Sequence, residues 1–95
     1  MKFEWYPAKA ESNLTKHGVS FDEASTVFDD DFQFSLRDTL HSIGEERFRC
    51  IGRSEQGRLL LVVYTEPQPN LMRLISARLA TASERERYEQ ENYLT

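Results

Sequence analysis

Two arginines stand where a folded chain gains little from having them. Residues 71–78 read Leu-Met-Arg-Leu-Ile-Ser-Ala-Arg, an apolar strand pattern interrupted by Arg73 and Arg78. A guanidinium buried without a partner is costly, so each must meet a carboxylate, a phosphate or open water. Arginine also holds two anionic oxygens at once while remaining charged, which suits it to phosphate groups and to negative charge that builds during their chemistry. Being five residues apart, the two project from opposite faces of an ideal strand. They serve one site only if the strand bends or ends near Ser76; otherwise Arg78 anchors the helix that follows. Lys16 and His17 are the candidates for proton transfer, histidine being the side-chain type that titrates near neutrality. His17 equally fits a packing residue in line with Ala10 and Leu14, beside a helix C-terminus. Arg47, Arg49 and Arg53 share a strand face by alternation and, with Lys9, could track a phosphate backbone; a solvated face explains the three arginines as well. Tyr64 and Trp5 could stack on bases or fill the core.

The elements that must position these groups are short. With 95 residues, 39% hydrophobic and 29% charged, the chain has room for one domain, residues 1–95, around a modest core. No apolar run approaches the roughly 20 residues that cross a bilayer, and the first five residues form a strand pattern rather than a signal peptide. A cytoplasmic protein with no membrane association is expected. Cys50, beside Phe48, is the single cysteine and reads as core. It excludes an internal disulfide and, with only His17 and His41, leaves no metal-ligand cluster, so neither metal nor cofactor is expected. The net charge of −4 is unevenly placed: six acids fall in residues 21–38 beside the single Arg37. The remainder is close to neutral, which leaves a local phosphate-binding face open.

Residues 1–5 alternate as a short strand with one buried face. Pro7 suits a first helical position and Gly18 a left-handed helix end. Between them Ala10, Leu14 and His17 form the expected inward stripe, and Lys9, Asn13 and Lys16 a polar one. Ser20 and Glu23 have capping-box spacing for a second helix that stops near Phe28, before three aspartates that oppose its dipole. Phe32, Phe34 and Leu36 alternate as a strand, residues 39–45 read as a loop, and residues 46–53 alternate again. A turn at Gln56-Gly57 leads into residues 59–65, apolar enough for a central strand. Thr81 and Glu84 repeat the capping-box spacing at the start of a last helix, whose apolar surface to residue 92 is chiefly Ala82 and Tyr88. The order β-α-α-β-β-β-β-α predicts an α+β domain, helices on one side of a mostly antiparallel sheet.

Taken together these residues resemble the BrnT family of toxins from bacterial type II toxin–antitoxin systems. The resemblance rests on Phe3-x-Trp5, Lys9, Asn13 and Lys16-His17-Gly18-Val19-x-Phe21-x-Glu23-Ala24-x-x-Val27-Phe28. It continues through Glu46-Arg47, Gly52, Gly57-Arg58, Tyr64-Thr65 and Arg73-x-Ile75-Ser76-Ala77-Arg78-x-Ala80-x-x-x-Glu84-x-x-x-Tyr88, covering nearly the whole chain. Tyr6 stands where the family usually has aspartate.

The resemblance implies a RelE-like fold and a small ribonuclease that is held inactive by an antitoxin. That partner is expected to be a BrnA-like ribbon-helix-helix DNA-binding protein, with operator DNA reached only through it. Metal-free RNA cleavage requires proton removal from a 2′-hydroxyl, cationic donors for the phosphorane-like transition state and a proton for the departing 5′-oxygen. Arg73, Arg78, Lys16 and His17 are the expected catalytic set, with Arg47, Arg49, Arg53, Lys9 and Tyr64 expected on the RNA. The alternative is a non-catalytic module that keeps antitoxin binding and acts in autoregulation.

Overall fold

Pro7 opens the first helix and Gly18 closes it, Gly18 adopting φ +68° and donating its N–H to the Leu14 carbonyl. Any other residue would be strained there. Ser20 caps the next helix by accepting from the Glu23 N–H at 3.0 Å, and Thr81 caps the last by accepting from the Glu84 N–H at 3.2 Å. In that last cap the Glu84 carboxylate reaches back to the Thr81 N–H at 2.9 Å, completing the reciprocal box.

The computed structural model describes residues 1–94. The elements are β1 (Lys2–Glu4), α1 (Pro7–His17), α2 (Phe21–Thr26) continued by a 3-10 turn (Val27–Asp29), β2 (Phe34–Arg37), β3 (Phe48–Arg53), β4 (Leu59–Gln68), β5 (Leu71–Leu79) and α3 (Ala82–Leu94). One five-stranded sheet has the order β1-β5-β4-β3-β2, antiparallel except for the parallel pair β1 and β5. The α+β class and the element order agree with the sequence. The placement of the helices differs: α1 and α2 cover one face of the sheet, and α3 lies on the other. The first face holds Val19, Phe21, Ala24, Val27, Leu60, Val62 and Leu74. Behind it Ile51, Leu59 and Leu61 pack with Tyr88 of α3. Each fully buried Leu or Phe stabilises the fold by about 1.5–3 kcal/mol. At Gly52 the 3-10 turn comes so close to β3 that a Cβ would lie 2.6 Å from a Val27 methyl.

Three further expectations are corrected. Phe32 is exposed rather than part of β2, because its N–H bonds the Asp30 carboxylate at 2.9 Å in a tight turn just before the strand. Glu23 does not reach back to its cap. It is buried beneath Arg58, which holds its carboxylate through Nε at 2.9 Å and through Nη2, while the Ser54 hydroxyl donates at 2.7 Å. The inward stripe of α1 is also turned: Leu14 is 52% exposed and Asn13 is 5% exposed.

The reason lies at the edge of β5. β1 pairs only with residues 71–73 of β5, leaving the rest of that edge open. In a strand the N–H and C=O of one residue project from the same edge. At Ala77 both are taken by the Asn13 side chain: its Oδ1 accepts from the Ala77 N–H at 3.0 Å, and its Nδ2 donates to the Ala77 carbonyl at 2.8 Å. The same Nδ2 donates to the Val19 carbonyl at 2.9 Å. One amide thus replaces a missing strand and ties α1, the loop after it and β5 together.

Asn13→Ala leaves three buried backbone groups unpaired, each worth about 1–3 kcal/mol. Urea denaturation should show a loss of about 3 kcal/mol or more; a loss below about 1 kcal/mol would mean that water substitutes freely. Arg58 holds the Glu23 carboxyl below its ordinary value of 4.5, with the Ser54 bond adding to the effect against the opposing cost of burial. A carboxylate whose folded pKa is lowered stabilises the fold above its unfolded pKa and loses that contribution as pH falls through the folded value. Stability should therefore hold steady down to about pH 4.5 and fall below it, and Arg58→Gln should lower the plateau and flatten the acid limb, both read by urea titration at stepped pH.

Candidate functional site

Lys9, Ser12, Asn13 and Lys16 follow i, i+3, i+4, i+7 and therefore share one face of α1. Since Asn13 is fastened to β5, the whole face is turned to that strand edge. Lys9, Ser12, Lys16 and His17 line a groove of about 320 Å³ with Ile75 and Ser76 opposite them. His17 is exposed there, not packed beside Ala10 and Leu14. Lys9, Lys16 and His17 take part in no ion pair among the described residues. A groove with three cationic or protonatable groups, two hydroxyls and no lining carboxylate suits a phosphate.

Arg73 and Arg78 are placed differently. The register of β4 against β5 slips between Val63 and Tyr64, so that Val63 faces Ser76 while Tyr64 faces Leu74 and Ile75 is the extra residue. That bulge reverses the alternation and brings Arg73 and Arg78 onto one face, the face of α3. Each guanidinium already has a carboxylate. Arg73 Nε donates to Glu4 Oε2 at 2.6 Å, with Glu45 3.6 Å from Nη1 and the Tyr6 ring beneath. Arg78 grips Glu84 with both Nη atoms, at 2.8 and 2.9 Å, and caps the Leu79 carbonyl at 3.1 Å. The hydrogen bond that Arg73 donates to Glu4 pushes its pKa further up and the bonds that Arg78 donates to Glu84 do the same for Arg78, while Arg78 holds the Glu84 carboxyl below its ordinary value. These pairs fasten β1 and α3 to β5.

The other residues expected on RNA separate. Arg53 Nη1 donates to the Gly57 carbonyl at 3.0 Å, and its guanidinium lies 5.9 Å from the centre of the Tyr88 ring. Arg47 precedes β3 and is half-buried, its N–H bonded to Ser42 Oγ at 3.0 Å. Tyr64 is 6% exposed, stacked on Phe48 and edge-on to Phe28, with its hydroxyl donating to Ser35 at 2.9 Å. It belongs to the core and offers no ring face to a base. Trp5 packs against the same core, edge-on to Phe21. Arg49 stays exposed on the α3 face and makes no ion pair among the described residues; after the larger effect of His41, its charge helps to hold the Asp38 carboxyl below its ordinary value. Sequence reasoning missed Ser12 and Ser76 as lining residues of the groove. Ser12 was within reach, since it completes the polar stripe of α1.

α3 depends on one aromatic anchor. Tyr88 is buried among Ile51, Leu59 and Leu61, and its hydroxyl donates to Asp30 Oδ2 at 2.7 Å. The same oxygen accepts from the Arg53 N–H at 2.8 Å. Burial works against ionising Asp30, but the bonds from Arg53, Phe32 and Tyr88 outweigh it and lower the pKa. Tyr88→Phe removes one bond to this carboxylate, at a cost of about 1–2 kcal/mol. Hydrogen exchange should accelerate in α3 well before it does in β4; equal acceleration in both would show that α3 does not open by itself.

Residues 5–84 match the model of a protein family described as ribonuclease toxin, BrnT, of type II toxin–antitoxin system. Among solved structures the chain is similar to the 1.1 Å crystal structure of the Brucella abortus ribonuclease toxin BrnT, with a TM-score of 0.65 at 20% identity over 85% of this chain and 97% of that one. That likeness is one of fold. No curated protein sequence gives a significant match.

Proposed function

This chain belongs to the BrnT family of type II toxin–antitoxin ribonucleases, and we propose that it cleaves RNA without a metal in the groove between α1 and β5, under the control of an antitoxin. The observation that carries this reading is the convergence of Lys9, Lys16 and His17 on one groove with Ser12 and Ser76 and no carboxylate. Two-metal hydrolysis needs carboxylates that converge on ions; this groove offers cations and hydroxyls instead.

In the proposed reaction His17 takes the proton from the 2′-hydroxyl, whose oxygen attacks the adjacent phosphorus. Lys9 and the hydroxyls of Ser12 and Ser76 meet the charge on the phosphorane oxygens, where fixed donors outperform water because they need no reorganisation. Lys16 gives a proton to the 5′-oxygen as its bond to phosphorus breaks. The products are a 2′,3′-cyclic phosphate and a 5′-hydroxyl. Arg73 and Arg78, neutralised by Glu4 and Glu84, act by holding the sheet edge and α3 in place. The partner implied by the family is an antitoxin, proposed as a BrnA-like ribbon-helix-helix protein; a RelE-like arrangement of the fold belongs to the same reading. No helix among the described residues is long and apolar enough to cross a membrane.

The experiment is digestion of a defined single-stranded RNA in excess chelator, with the fragment ends identified. Cleavage should persist, leave the two ends named above and weaken as salt rises. His17→Ala and Lys16→Ala should each lower the rate by about 10²–10⁴-fold, the range of general acid–base contributions, with unfolding within about 0.5 kcal/mol of the parent, since both side chains are exposed. Cleavage that stops in chelator and returns with magnesium would rule out the mechanism. Absence of any cleavage by the parent would favour a non-catalytic antitoxin-binding module.

A further inference from the structure

The sheet ends on β1 at one side and on β2 at the other. β1 is three residues long and carries Lys2 and Glu4, charged side chains of the kind that keep an edge from pairing. β2 reads Phe-Ser-Leu-Arg and is joined to β3 alone. Apart from its shortness and Arg37 it lacks the usual guards: it has no lysine, no proline and no bulge in its register with β3.

Which of its backbone groups are free follows from one bond. The Asp38 N–H donates to the Arg47 carbonyl at 2.7 Å, continuing the register that sets Arg37 opposite Phe48. In an antiparallel pair, residues that exchange such bonds alternate with residues that do not, so Phe34, Leu36 and Asp38 turn their N–H and C=O toward β3. Ser35 and Arg37 turn theirs away. Both residues are exposed, and none of these four groups takes a hydrogen bond among the described residues. The surroundings of this edge are apolar at both ends. Phe32, just before the strand, is 58% exposed, and Leu40 and Ile43, in the loop after it, are 81% and 89% exposed. They are also acidic, since residues 29–46 hold six carboxylates with Arg37 and Arg47 bounding no more than one of the two cations inside that span, Arg37. Arg37 is already paired with Glu46 at 3.4 Å, whereas Asp29 and Asp31 make no ion pair among the described residues.

We propose that β2 is a docking edge for an extended, basic segment of a partner protein, which adds a sixth strand to the sheet by bonding the outward backbone groups of Ser35 and Arg37. Strand addition draws affinity from main-chain bonds and specificity from the side chains that alternate along the added segment. Lysine or arginine in the segment meets Asp29 and Asp31, and apolar residues at its ends cover Phe32, Leu40 and Ile43. Charge decides among the occupants. A second copy of this chain would set the same carboxylates against these, and a nucleic acid would be repelled by them. The edge is independent of the α1 groove. β5 lies three strand spacings from β2, roughly 14 Å, so a segment on β2 leaves the groove open.

The test uses the full chain and an acetylated eight-residue peptide of alternating valine and arginine, with amide exchange followed residue by residue by NMR. Saturating peptide should slow exchange at Ser35 and Arg37 about tenfold or more, and affect Phe34 and Leu36, already bonded to β3, less. The same peptide methylated at every backbone nitrogen keeps its charge and side chains and should bind about tenfold more weakly or worse. Arg37→Pro removes one outward N–H without touching the ladder to β3; it should also weaken binding about tenfold, although it makes the edge more acidic. Arg37→Gln keeps that N–H and should bind at least as well as the parent. Rising salt should weaken binding throughout. Because the two peptides are compared on the parent chain, the result stands even where Arg37→Pro fails to fold. Equal binding of the two peptides, or no protection at Ser35 and Arg37, would reduce the contact to charge alone and overturn the docking edge. So would a free chain that self-associates and protects those two amides without peptide, which would give the edge to a second copy.

Discussion

The Asn13 carboxamide carries the arrangement of this molecule. β1 is too short to cover the edge of β5, and a backbone edge facing protein must find partners or remain in water. The amide presents an acceptor and a donor at the spacing of a neighbouring strand and satisfies the Ala77 N–H and C=O together. Everything on the polar face of α1 follows from that bond. It turns Lys9, Ser12, Lys16 and His17 toward the strand and exposes Leu14, which helical periodicity alone would bury. A position that reads as surface is the most constrained one in the helix.

Carboxylates do the complementary work of sorting the cations. Glu4, Glu23 and Glu84 each engage one arginine, and Asp30 gathers the N–H groups of Phe32 and Arg53 with the Tyr88 hydroxyl. These contacts join segments distant in sequence: β1 to β5, α2 to the turn before β4, and the 3-10 turn to α3. They occupy four of the sixteen acidic residues. Among the cations left over, Lys9 and Lys16 line the α1 groove, so a chain of charge −4 still presents a surface suited to phosphate. Exposed ion pairs add little stability by themselves; their larger effect here is to decide which arginines remain available.

Local chemistry was readable without coordinates. Pro7, Gly18, Ser20 and Thr81 mark helix ends because the groups that start or stop a helix act within one turn. The alternation of residues 46–53 and the apolar run of residues 59–65 mark strands because strand periodicity is also local. The α+β class followed from their order, the polar stripe of α1 that contains Lys9 and Lys16 from helical spacing, and the family resemblance from the motif residues themselves. What tertiary structure alone decided was direction and pairing. Whether that stripe meets water or a strand depends on an Asn13 partner 64 positions away. Whether Arg73 and Arg78 share a face depends on a bulge that no alternation pattern announces. Whether an arginine is a tether or a free donor depends on which carboxylate the fold brings within 3 Å, as Glu84 is brought to Arg78. Periodicity reports which residues lie together on one element; which face meets what is set by contacts between elements, and those exist only once the chain has folded.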